Sequence, residues 1–123
     1  MRTEELHGNE RMPQLKLLVD RELDDGRVVV VNCSREEAPI GSVFTTLFLL
    51  NVRMENEEFH HEQGGPSIRV ELKLESVEWF RRFITAIPGG HNAAVLLTGS
   101  GLSDLRAHLN AQAPGRQVIL ETD

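Results

Sequence analysis

A chain of 123 residues, 40% hydrophobic and 26% charged, fits one globular domain with a modest core. Its longest apolar run, Val43–Leu50, is of strand length, far below the roughly 20 residues that span a bilayer. No apolar stretch follows the N-terminal charges as in a secretory signal, so no membrane contact and a cytoplasmic location are expected. The net charge of −6 disfavours non-specific nucleic-acid binding, which needs basic patches. Adjacent Arg81 and Arg82 form only a local basic spot. The surface charge fits solubility or a basic protein partner.

Residues 1–12 are polar, with Glu4, Glu5 and Glu10 and no periodic apolar face, and read as a mobile tail. One domain is expected over residues 13–123. Gln14–Asp20 is compatible with a strand, and Asp24-Asp25-Gly26 signals a turn. Val28–Cys33 opens with four valines, whose branching at Cβ favours a second strand. Cys33, the single cysteine, is expected there as a small buried hydrophobe. Ser34–Gly41 contains Pro39 and Gly41 and reads as a loop.

Ser42–Val52 is the next strand. Arg53–Gly65, dense in charge and ending before Pro66, is expected to be a loop or exposed hairpin tip. Ser67–Glu75 alternates: Ile68, Val70, Leu72 and Leu74 fall on one face, and Arg69, Glu71, Lys73 and Glu75 on the other. That period marks a strand with one buried and one wet face. It is expected to pair with Ser42–Val52 as one long hairpin.

Val77–Ile87 has helical spacing at Trp79, Phe80, Phe83, Ile84 and Ile87. Pro88-Gly89-Gly90 ends it. Ala93–Leu97 reads as a buried strand and Ser103–Leu109 as a helical turn that Ser103 caps. Pro114-Gly115 then breaks the chain before a last strand, Gln117–Leu120. Seven or so short strands, with one or two helical turns, suggest an all-β closed antiparallel barrel or a sandwich.

The stretch Val77–Gly99 resembles the second, β-barrel domain of the translational GTPases of the elongation factor Tu type. The matching elements are Val77-Glu78, Arg81-Arg82, Gly89-Gly90-His91-Asn92 and Val95-Leu96-Leu97-Thr98-Gly99. Ser103-Asp104-Leu105 and Gly115–Ile119 look like the family's short acidic turn and its following strand. Val28–Cys33 and Ile40–Val43 look like an earlier strand and turn. The resemblance spans about residues 15–121 and implies a closed barrel of that domain type, standing without its GTPase domain. It also implies that Val77–Ile87 is irregular and extended, in keeping with the poor helix propensity of Thr85, Ile84 and Ile87.

In that family the barrel grips the aminoacyl end of transfer RNA. The family's turn asparagine falls at Asn92 and its pocket histidine at Phe80. Its paired carboxylates have no clear counterpart, although Asp20 lies near. Phe80 makes such a pocket more apolar and better suited to a side chain from a protein.

No catalytic constellation emerges. Gly64-Gly65 and Gly89-Gly90 lack the Lys-Ser or Lys-Thr of a phosphate loop. Gly99–Ser103 lacks the Gly-x-Ser-x-Gly order of a serine elbow. Glu55–Glu62 contains His60 and His61, a residue mix that suits divalent metals. Adjacent strand residues point to opposite faces, however, so a solvated tip without metal is expected. Trp79 and Phe80 beside two arginines would suit base stacking, but core packing is the expected role. His91 is either a binding residue or an ordinary turn residue.

The expectation is therefore a non-catalytic, cofactor-free interaction module that docks a protein partner. Its candidate binding residues are Trp79, Phe80, His91 and Asn92. The alternatives are a binder of RNA ends, a small acidic immunity-type inhibitor of a toxin enzyme, and, third, an enzyme with a loop-built site.

Overall fold

A computed structural model describes residues 13–111 and 114–123; the expected N-terminal tail, 1–12, lies outside them. The described chain is mostly β. Its elements are β1 Lys16–Glu22, β2 Val28–Asn32, β3 Ala38–Pro39, β4 Val43–Glu55, β5 Glu58–Gln63, β6 Ile68–Trp79, β7 Arg82–Ile84, β8 Ala86–Ile87, β9 Asn92–Thr98, α1 Leu102–Asn110 and β10 Arg116–Glu121. All the strand pairings are antiparallel. The main sheet runs β5-β4-β10-β1-β2-β9-β6-β7, and an added β4–β6 pairing joins six of these strands in a ring. Strands β3 and β8 form a separate short pair.

Alternation decides what enters the ring. On β6, Val70, Leu72, Leu74 and Val77 are buried, while Arg69, Glu71, Lys73 and Glu75 face water. On β2, Val28 and Val30 point inward, and Val29 and Val31 stay partly exposed. Leu17, Val19, Phe44, Leu47, Val95, Val118 and Leu120 complete the interior, with Leu105 of α1 packed against it. Register shifts occur between Val19 and Arg21, Phe44 and Thr46, and Leu74 and Ser76. Such bulges bend a strand and increase its twist, as a sheet curling onto itself requires. The extra residue Glu75 is tied down, its Oε2 accepting from Thr98 Oγ1 at 2.7 Å; Thr45, which faces the two-residue bulge Val70-Glu71 of β6, donates from Oγ1 to Asp123 Oδ1 at 2.7 Å.

The alternation also corrects the expectation for Cys33, which is exposed. The inward position belongs to its neighbour Asn32, the one fully buried polar side chain among the described residues. Asn32 Nδ2 donates to the carbonyls of Glu36 and Ile87, both at 3.0 Å, and its Oδ1 accepts from Ser34 N–H at 2.9 Å. The helix departs from expectation too. It begins at Leu102 with Gly101 as N-cap and no side-chain cap, so Ser103 lies inside its first turn. With nine residues it is longer than the one or two turns expected.

The hairpin expectation holds in part. Val43–Leu47 of β4 pairs with Ile68–Lys73 of β6. Beyond Asn51, where pairing with β10 ends, β4 continues as a two-stranded arm with β5. Arg53–Gly65 is thus mainly strand rather than loop. Asn56 and Glu57, at φ 55° and 66°, turn the arm in the left-handed geometry of a two-residue hairpin. The arm carries an exposed cross-strand pair, Met54 and Phe59, at 62% and 66% exposure.

Two outcomes are expected. Replacing Asn32 with Ala strands a backbone N–H and two carbonyls, and should cost about 3 kcal/mol in urea unfolding. Deleting Glu57–Gln63 removes only arm residues and should leave unfolding cooperative. Its thermal midpoint should fall by less than about 10 °C, several times the effect of a mild substitution in a domain of this size.

Candidate functional site

The outer face of the ring carries a row of residues in register across four strands. Val29 on β2 lies opposite Ala94 on β9, Ala94 opposite Glu78 on β6, and Glu78 opposite Phe83 on β7. Because Ala94 is small, the row dips between Val29 and Glu78. A depression of about 220 Å³ opens there, lined by Val29, Glu78, Trp79, Phe80, Asn92, Ala93 and Ala94.

Three of the four residues singled out from the sequence therefore share one depression. The fourth, His91, meets the Trp79 ring edge-to-face at a centroid distance of 5.6 Å. Trp79 also meets Phe80, at 4.7 Å with the planes 70° apart. Trp79 is half-buried and packs on the core as expected. Its indole Nε1–H is the one buried side-chain polar atom without a hydrogen bond among the described residues. Phe80 is not core: it is 78% exposed, and Phe83 is 74% exposed.

The exposure of Phe80 has a backbone cause. Val77–Ile87 is extended, and Phe80 and Arg81 form the two-residue turn between β6 and β7 at φ 52° and 65°. Three residues on from the buried Val77, Phe80 falls on the outward side of the alternation, at the point where the chain reverses. Left-handed conformation costs ordinary L-residues about 1–2 kcal/mol each, which is why such turns favour Asn and Gly.

On the other side, the loop before β9 is held from beneath. Gly90 N–H donates to the Asn32 carbonyl at 2.8 Å, and Asn32 N–H donates to the His91 carbonyl at 2.9 Å. A Cβ on Gly89 would stand 2.2 Å from the Arg35 carbonyl oxygen, so only glycine passes there. His91 N–H also bonds the Pro88 carbonyl at 3.2 Å, so it is a turn residue as well as a neighbour of the indole.

The depression has one carboxylate. Glu78 Oε1 accepts from Arg27 Nη1, and Arg27 Nε also reaches Asp25 Oδ2 at 2.9 Å. Hydrogen bonds to Glu78 and then Asp25 push the Arg27 guanidinium above its ordinary range. The Arg27 backbone N–H, foremost, holds the Asp25 carboxyl below the usual carboxylate range. Two carboxylates thus share one cation, and of the three groups Glu78 lines the depression.

Glu78, Val29 and Ala94 were not recognised as site residues from sequence. Their signal was outward parity beside an aromatic pair, legible only once the register is known. Asp20 is exposed, is ion-paired with Arg21 at 2.5 Å, and does not line the depression. His60 sits 3.8 Å from Glu55 on the arm, away from these residues. Among the described residues no group of three or more His, Cys, Asp or Glu could hold a metal ion, and no helix is long and apolar enough to cross a membrane.

Comparison with protein-family models, with curated proteins and with solved structures gives no match.

The turn itself is open to test. Arg81→Gly relieves one left-handed residue without touching the rings, and should raise stability by about 1 kcal/mol. The check is a urea midpoint higher than the parent's at unchanged slope.

Proposed function

We propose that this protein is a non-catalytic docking module, and that Trp79, Phe80, His91 and Asn92 mark the face that receives a protein partner. The observation that carries this reading is the exposure of two phenylalanines, Phe80 and Phe83, on the β6–β7 hairpin beside a depression. Exposed aromatics at a depression are the kind of residue that dominates binding energy at protein interfaces. The net charge of −6 favours a partner with a basic surface.

The finer fold assignment belongs with this proposal. A closed barrel of the type found as the second domain of translational GTPases accounts for the ring of six antiparallel strands. It also accounts for the Gly89–Asn92 turn beside Trp79. The transfer-RNA activity of that family is not part of the reading. Phe80 cannot donate a hydrogen bond as a histidine would, and the one carboxylate of the depression already bonds Arg27.

The test compares capture of cell-extract proteins by the immobilised parent, by Phe80→Ser/Phe83→Ser and by the arm variant Met54→Ser/Phe59→Ser. One protein should be retained in stoichiometric amount by the parent and the arm variant, and lost with the hairpin variant. Retention that follows the arm instead would move the docking face. Charged and uncharged transfer RNA are titrated alongside at low salt. Micromolar binding that prefers the charged form and is weakened by Asn92→Ala would replace this reading with the RNA-end one.

A further inference from the structure

We infer that the depression beside Trp79 takes the guanidinium group of an arginine side chain presented by the docking partner. The inference rests on the docking reading above and specifies the chemistry of what docks.

Three features converge on a planar cation. The first is aromatic: Trp79 and Phe80 both line the depression and meet edge-to-face at 4.7 Å. An aromatic face carries negative quadrupolar charge and attracts a cation held within about 6 Å of the ring centre. Phe80, at 78% exposure, leaves ring surface open on which a guanidinium can stack flat.

The second feature is electrostatic. Asp25, Arg27 and Glu78 together carry two negative charges against one positive. Arg27 occupies Oε1 of Glu78, while Oε2 has no hydrogen-bond partner among the described residues. A second guanidinium at that carboxylate would neutralise the surplus. An incoming carboxylate or phosphate would add to it.

The third feature is shape and polarity. The depression is shallow, at about 220 Å³, with Asn92 and the small Ala94 in its lining. A flat group with donors along its edge fits such a site better than a round ammonium. Its donors suit Glu78 and Asn92, and its plane suits Phe80, all three of which line the depression. Arg81 and Arg82, the nearest basic pair on the hairpin, do not line the depression.

Trp79 supplies the readout, because the chain has one tryptophan and no tyrosine. The probes are acetyl-Gly-Arg-Gly-amide and three counterparts in which the central residue is citrulline, leucine or glutamate. Each is titrated into the full-length protein up to about 50 mM, since a single side chain is expected to bind in the millimolar range. The arginine peptide should change the Trp79 emission saturably and bind roughly tenfold more tightly than the citrulline peptide, as one cation–π contact near a carboxylate implies. Added salt should weaken it. Phe80→Ala, at an exposed site that does not threaten folding, should weaken the arginine peptide severalfold and leave the citrulline peptide nearly unchanged. Glu78→Gln should weaken it too. If that variant loses its folded signal, Asp25→Asn, which also removes the surplus charge, takes its place.

Equal binding of arginine and citrulline, tighter binding of the leucine or glutamate peptide, or no saturable change with arginine would overturn the inference. The docking reading fails separately, when the Phe80→Ser/Phe83→Ser variant retains the same proteins as the parent. A partner lost by that variant but indifferent to arginine therefore leaves docking standing without the guanidinium.

Discussion

The buried amide of Asn32 is the point on which the candidate site depends. Its side chain closes the loop after β2 through Ser34 and Glu36 and reaches across to the Ile87 carbonyl at the end of β8. Its backbone holds Gly90 and His91 from below. One residue thus fixes the end of a core strand, the loop beside it and the turn that leads into β9. An apolar residue at this position would fill the space but leave those backbone groups without partners, which is costly in a dry interior. The rigidity of the turn decides where His91 and Asn92 stand relative to the indole.

Sheet register does the rest. Antiparallel partners point the same way, so the pairings Val29–Ala94, Ala94–Glu78 and Glu78–Phe83 lay four outward side chains in a line. The line rises at Phe83 and dips at Ala94. On the opposite side of the same strands, Val30, Val95 and Val77 pack the ring interior. The site is therefore the wet side of the strands that hold the core, and it is placed as firmly as they are. A site on strands is held more precisely than one on a free loop.

The two protruding hairpins are built by the same device. Each turns through two non-glycine residues in left-handed conformation, Asn56-Glu57 in one and Phe80-Arg81 in the other, and of the four only Asn56 is of a type that favours it. The β4–β5 arm carries its exposed apolar pair out beyond the β10 pairing and is charged along β5. The β6–β7 hairpin keeps its aromatic residues next to the ring. A phenylalanine where asparagine or glycine would be more stable is a local cost, repaid only in part by the Trp79 edge contact. That conflict between local preference and structure is typical of surfaces kept for binding.

Much of this was legible in the sequence because strand periodicity is a local property. Ser67–Glu75 alternates, so its inward and outward faces followed from the residues alone. The valine run, the Asp24–Gly26 turn and the breaks at Gly89-Gly90 and Pro114-Gly115 were equally local signals. Of the candidate residues, Phe80 and Asn92 follow from the resemblance to a known barrel domain, Trp79 from the aromatic pair beside two arginines, and His91 from its place next to Asn92 in the turn. Other features were decided by tertiary structure. Parity at the end of β2 put Asn32 inside and Cys33 outside, because the loop and β8 offered backbone partners that only an amide could satisfy. Phe80 stands on the surface because β6 runs extended through Trp79, which gives Phe80 the parity opposite to buried Val77 just before the chain reverses. Glu78 and Ala94 joined the site through register, which pairs residues distant in sequence and leaves no periodic trace in either strand alone.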